Sequence, residues 1–151
     1  MKVLTLGAAG ALIATTVAAT EVAPGDVWIV DGALPTPLTD TPGDPARGVE
    51  WYTNRGLGNC MTCHRNADMP EISFQGDVGP ALDGVADRWS EAELRAILVN
   101  AKEVFGPQTF MPAMYKDSGF IRVRKDVAGE PIMEAQMIED VLAYLLTLKA
   151  E

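Results

Sequence analysis

The 151-residue chain has one histidine and two cysteines. A single imidazole excludes any centre that draws two histidines from this chain. Together with two thiols it also leaves a tetrahedral zinc site one ligand short. Basic residues are scarce as well: 12 Lys and Arg stand against 21 Asp and Glu, a formal charge of −9. The resulting field repels phosphate, which excludes nucleic acid and anionic membrane surfaces as partners. Long hydrophobic runs are confined to the first residues, "MKVLTLGAAGALIATTVAAT". The apolar stretch from Val3 to about Val17 is shorter than the roughly 20 residues of a membrane span, and no charged stop-transfer flank follows. With Lys2 before it and Val17-Ala18-Ala19 after it, the stretch reads as a secretory signal peptide over residues 1–19, cleaved after Ala19 or a residue or two either side. Its loss leaves 11 basic residues against 21 acidic, or −10, and such a leader exports the mature chain. Internal repeats and low-complexity tracts are absent.

What remains is a chain of single-domain length. Residues 20–44 carry Pro24, Pro35, Pro37, Pro42 and Pro45 just beyond, with Gly25, Gly32 and Gly43 between them. Proline at that density gives an extended arm rather than regular helix. The arm is either a disordered terminus or, given Trp28, Ile29, Val30 and Leu34, a segment lying on a partner. From residue 45 to 151 the pattern is helical. A first helix is expected from about Pro45 to Arg55, with Asp44 as its cap. Gly48, Trp51, Tyr52 and Arg55 then share its inner side. A second begins at Ser90, with Glu93 completing a capping box and Leu94, Ile97, Leu98 and Ala101 as its apolar stripe. "FIRVRKDVAGEPIM" suggests a short two-stranded excursion. Its basic run Arg122, Arg124, Lys125 is either a solvated loop or a docking face for an acidic partner. The last helix spans "MEAQMIEDVLAYLLTLK", with Ile138, Val141, Leu142, Leu145 and Leu148 at core spacing. So few helices with such long loops make too small a core unless something large fills it.

All three scarce side chains sit in "NCMTCH", residues 59–64. In a helical turn, Cys60, Cys63 and His64 project from neighbouring points on one face. A Cys-x-x-Cys-His run is the c-type haem attachment pattern. Two thioether bonds would fix the porphyrin edge, and the adjacent imidazole would ligate the iron from one side. A thioredoxin-type redox pair would require a βαβ context, which is absent. A simple disulfide would close a very short loop and leave His64 without a role. With no second histidine or third cysteine, methionine is the usual ligand left for the other side of the iron. Of the seven methionines, Met1 leaves with the leader, Met61 and Met69 lie too near His64, and Met133 and Met137 flank the last helix. Met111 and Met114 remain. Met111 is the expected ligand because Pro112 forces an extended backbone on it, with Met114 in reserve.

Four segments together resemble class I cytochrome c over roughly residues 45–150. They are Gly48 and Tyr52 ahead of "CMTCH", "GPALDG" at 79–84 with Arg88, "MP" at 111–112, and "DVLAYL" at 140–145. The resemblance implies an all-α fold built around one covalently attached haem, with an extended N-terminal arm. It implies that Gly48 lets the first and last helices cross closely, with Tyr144 packed on the crossing. It also implies that the Pro80 carbonyl takes the hydrogen bond from His64 Nδ1–H. More narrowly, "LGNCMTCH", "VGPALDGVADRWSEAELRAILVNAK", "TFMPAMY" and "EPIMEAQMIEDVLAYLLTLK" are similar to the SoxX family, the small monohaem subunits of SoxAX complexes. That likeness implies a heterodimer with a SoxA-like cytochrome subunit in an L-cysteine S-thiosulfotransferase. Such a complex joins thiosulfate to the carrier cysteine of SoxYZ and passes electrons to soluble cytochrome c. Sulfur chemistry is then expected on the partner, and this chain is the electron relay with no catalytic residue of its own. A free diffusible monohaem cytochrome is the alternative, and a sensor with a labile methionine a third. The exposed apolar residues expected on the arm favour the complex, since a free shuttle gains nothing from them.

Overall fold

Asp44 and Pro45 begin the first helix of the computed structural model, which describes residues 20–150. The leader expected over residues 1–19 lies outside the described residues. Helix α1 runs Pro45–Thr53, and the Asp44 side chain accepts the Ala46 N–H at 2.9 Å. The helix stops two residues short of the expected Arg55. Asn54 bends the chain out of helical geometry and its Oδ1 takes the Gly56 N–H at 2.8 Å, so Arg55 is exposed rather than on the inner side. A 3₁₀ turn, Cys60–Thr62, follows. The short helix α2, Val85–Arg88, enters from Gly84 in the left-handed region (φ 65°).

Helix α3, Glu91–Phe105, has the reciprocal cap the sequence predicts: Ser90 and Glu93 each hold the other's backbone N–H. It bends at Asn100, where φ and ψ are −153° and 81°. Helix α4, Ala135–Leu145, is shorter than the expected span and starts from Glu134 without a side-chain cap. The expected two-stranded excursion is absent. Residues 118–130 are exposed turns, and Gly119, Arg122 and Gly129 all have positive φ, which breaks an extended run into corners. Among the described residues there are only two isolated β-bridges, Glu21 with Thr39 and Val30 with Ala33.

The core is organised by the crossing of α1 on α4. A Cβ on Gly48 would run into the Asp140 carbonyl oxygen and stand 2.7 Å from Tyr144 Cβ, so only glycine permits this approach. Tyr52 meets Tyr144 edge-on, with ring centroids 5.4 Å apart. Two buried acids complete the packing. Asp140, 1% exposed, accepts from Asp44 N–H at 2.8 Å, Gln136 at 3.0 Å, Arg47 at 3.1 Å and Trp51 Nε1–H at 3.2 Å. Burial alone pushes this carboxyl up, but these hydrogen bonds outweigh it and hold it below the ordinary aspartate value. Glu139 pairs with buried Arg95 at 2.9 Å and accepts the Leu38 N–H at 2.8 Å. Arg95 also donates to the Leu34 carbonyl at 3.1 Å. The second half of the proline-rich segment is therefore held on α3 and α4, with Leu34 and Leu38 inside the chain's own core.

Candidate functional site

Asn59 enters the cysteine turn in the left-handed conformation (φ 50°), and the turn closes on one acceptor. The Cys60 carbonyl takes the N–H of Cys63 at 3.1 Å and of His64 at 2.9 Å. This brings Cys60, Cys63 and His64 to the wall of one cavity of about 300 Å³, at the small end of the range for cofactor clefts. The loop 76–82 is laid along the turn by three backbone bonds. Gly76 N–H reaches the Met61 carbonyl at 2.8 Å, Gly79 N–H the Cys63 carbonyl at 2.8 Å, and Leu82 N–H the Arg65 carbonyl at 2.9 Å. Arg88 fastens the same loop by donating to the carbonyls of Ala81 at 2.7 Å and Asp83 at 2.5 Å.

That loop fixes the histidine. His64 Nδ1 lies 2.7 Å from the Pro80 carbonyl oxygen. A carbonyl can only accept, so Nδ1 carries the hydrogen, and in the neutral ring Nε2 keeps its lone pair for a metal. A Cβ on Gly79 would stand 2.7 Å from His64 Nδ1 and 2.8 Å from Nε2, so the imidazole lies flat against bare backbone. Beneath it, Tyr52 Oη approaches the His64 carbonyl at 3.5 Å, a weak contact at best. Both cysteines are free thiols. Burial pushes the Cys60 thiol up to about 11, the reverse of the lowered value that a redox-active pair uses.

Met111 and Met114 line the same cavity, as do Leu82, Leu94 and Leu98. The two methionines are held differently. Met114 is 4% exposed, its N–H bonds the Leu98 carbonyl at 3.3 Å, and its carbonyl takes the Met133 N–H at 3.0 Å. Its sulfur and that of Met133 both lie beside Gly58, where an added Cβ would stand 3.5 and 3.3 Å from them. Met111 has no such backbone ties among the described residues and is partly exposed. Two free thiols and a tautomer-fixed imidazole on one apolar cavity, with thioethers on its lining, suit a covalently attached porphyrin and its iron. Among the described residues no group of three or more His, Cys, Asp and Glu side chains could hold a bare metal ion.

Sequence reasoning brought out Cys60, Cys63, His64, Pro80 and Met111, and the structure brings all five to this cavity. It did not find Gly79 as the imidazole's platform or the carbonyl clasp of Arg88. A glycine followed by proline marks a turn and nothing more, and a clasp onto carbonyls leaves no trace in residue types.

The cytochrome c family model matches residues 45–149. Among solved structures the chain is similar to one described as the crystal structure of SoxXA from P. pantotrophus. The match has 47% identity and a TM-score of 0.80, and covers 86% of this chain and 99% of that one. No curated protein matched. Among the described residues, no helix is long and apolar enough to cross a membrane.

Proposed function

The chain belongs to the cytochrome c family, and on that premise we propose that it is the electron-transfer subunit of a SoxAX-type complex in the periplasm. The observation that carries the reading is the convergence of both free thiols and the chain's only histidine on one apolar cavity, with His64 Nδ1 tied to the Pro80 carbonyl. The family implies haem c, and Cys60 and Cys63 are the residues that would bind it through thioether bonds. The held group supplies a one-electron couple.

Every other contribution comes from the protein's own residues. His64 would offer Nε2 as one donor to the iron, and its bond to Pro80 keeps the ring from turning. Met111 offers a thioether as the second donor, a soft ligand that favours the reduced metal. Leu82, Leu94 and Leu98 keep water away, which lowers the reorganisation that each change of charge demands. With His64 and Met111 as its two protein donors, the group would keep no open position for substrate, so the chain would relay electrons and perform no sulfur chemistry.

The likeness to SoxXA supports the rest of the assignment. The partner would be a SoxA-like cytochrome subunit carrying the thiosulfate-to-cysteine transfer, with SoxYZ as carrier and a soluble cytochrome c as electron acceptor. The direct test is the mass of the mature chain from the periplasm. It is expected to exceed the polypeptide from residue 20 by one haem, with pigment that acid acetone cannot extract. A colourless product of bare polypeptide mass would overturn the reading.

A further inference from the structure

The first half of the proline-rich segment is built differently from the second. Val30 and Ala33 exchange both backbone hydrogen bonds at 3.0 Å. Between them Asp31 (φ 50°) and Gly32 (φ 77°) form a two-residue turn with both central residues left-handed, the tight hairpin favoured by Asp-Gly. This small finger is anchored at each end. Leu34 N–H bonds the Ala92 carbonyl at 2.8 Å, and the Leu34 carbonyl is held by buried Arg95. Val22 N–H bonds the Leu38 carbonyl at 2.8 Å, and Tyr115 donates to the Val22 carbonyl at 2.7 Å. Side chains then alternate: Val27 and Ile29 pack on the core, while Trp28 and Val30 stand 79% and 65% exposed.

A mobile tail can expose a tryptophan at little cost, because it buries the ring transiently elsewhere. Here the mount is fixed, so the indole is held in water with no intramolecular return. Trp28 and Ile29 take part in no backbone hydrogen bond among the described residues, so the finger also offers an unpaired strand edge. Asp26 and Asp31 flank it, both exposed and neither in an ion pair among the described residues. A second copy of this chain is a poor occupant: two such fingers face to face would bring four carboxylates together, on mature chains that each carry a formal −10.

We propose that Trp28 and Val30 are the docking anchor for the partner subunit, whose matching surface is an apolar slot rimmed by lysine or arginine opposite Asp26 and Asp31. This rests on the reading of the chain as one subunit of a two-protein complex. A rigid, desolvated tryptophan at the centre of a contact is the side chain most often responsible for a large share of binding energy.

The test titrates haem-loaded wild-type, Trp28→Ala and Asp26→Lys chains into the purified partner subunit by calorimetry at low and high salt. Trp28→Ala is expected to weaken Kd tenfold or more, and Asp26→Lys several-fold with a shallower salt dependence. Haem spectrum and Tm should stay at wild-type values, since both side chains lie outside the core. Variants that bind within twofold of wild type, while wild type forms the heterodimer, would overturn the anchor and leave the functional reading standing. A wild-type chain that does not bind the partner at all sinks that reading and the anchor with it. A homodimer dissolved by Trp28→Ala would also overturn the proposal, by making the occupant a second copy.

Discussion

At the scale of single residues, the two candidate thioethers are separated by what already holds them. Met114 is committed to packing: it is buried, bonded at both backbone groups, and its sulfur lies beside Gly58, as does that of Met133. Moving its Sδ to an iron would open the core behind it, at the cost of a cavity. Met111 can move without disturbing that cluster, and Pro112 keeps its backbone extended. Met111→Ala is therefore expected to abolish the weak far-red absorption of a ferric iron–thioether bond, while the porphyrin stays covalently attached. Survival of that band would transfer the ligand to Met114. Residue types were the most legible layer of the molecule. Cys60, Cys63 and His64 carry their chemistry in their spacing, and a proline beside a methionine carries part of its own.

At the scale of elements, the α1–α4 crossing depends on Gly48 for closeness and on Asp140 for alignment. The Asp140 carboxylate gathers donors from Asp44, Arg47 and Trp51 around α1 and from Gln136 on α4. Asp140→Asn keeps the shape but turns one acceptor into a donor facing the others, and is expected to cost about 1–3 kcal/mol at neutral pH. The pH dependence follows from the direction of the shift. The folded-state pKa lies below the ordinary value of about 3.9, so the carboxylate's contribution is complete above that value. It is lost as pH falls through the lower folded pKa. Urea unfolding from pH 7 downward should show the gap between wild type and variant constant to about pH 4 and closing below it. A gap unchanged at pH 3 would mean that the charge of Asp140 plays no part. The close crossing at Gly48 was implied by the family resemblance, but the part played by Asp140 was not legible beforehand. Helical periodicity sends an Asp and a Glu in mid-helix to the solvent face, and the partners that bring Asp140 and Glu139 inside lie about a hundred positions earlier, at Asp44 and Leu38. Cap signals at Asp44, Ser90 and Glu93 were readable because both partners are local. The break at Asn54 and the turns of 118–130 depend on side-chain-to-backbone competition and positive φ, which residue type signals weakly.

At the scale of the whole molecule, the helices enclose less than a domain of this length needs. Among the described residues, four helices of 9, 4, 15 and 11 residues surround a cavity of about 300 Å³ whose lining comes from the cysteine turn, the loop 78–82, α3, the Met111 loop and α4. Left unfilled, this cleft leaves its leucines and methionines against water instead of packed, and the whole stability of an ordinary domain is only about 5–15 kcal/mol. A chain that cannot hold the porphyrin should accordingly be unfolded or marginal. Cys60→Ala/Cys63→Ala removes both attachment points, each at a half-buried position where alanine adds no strain. The double variant is expected to lose most far-UV helical signal and its cooperative thermal transition. The Asp44 and Ser90 caps alone should leave only fraying local helices, because short helices are marginal without tertiary packing. A pigment-free double variant that melts cooperatively at the wild-type Tm would mean that the polypeptide makes its own core. In that case the cavity would be a binding site on a finished fold rather than the place the fold is built around.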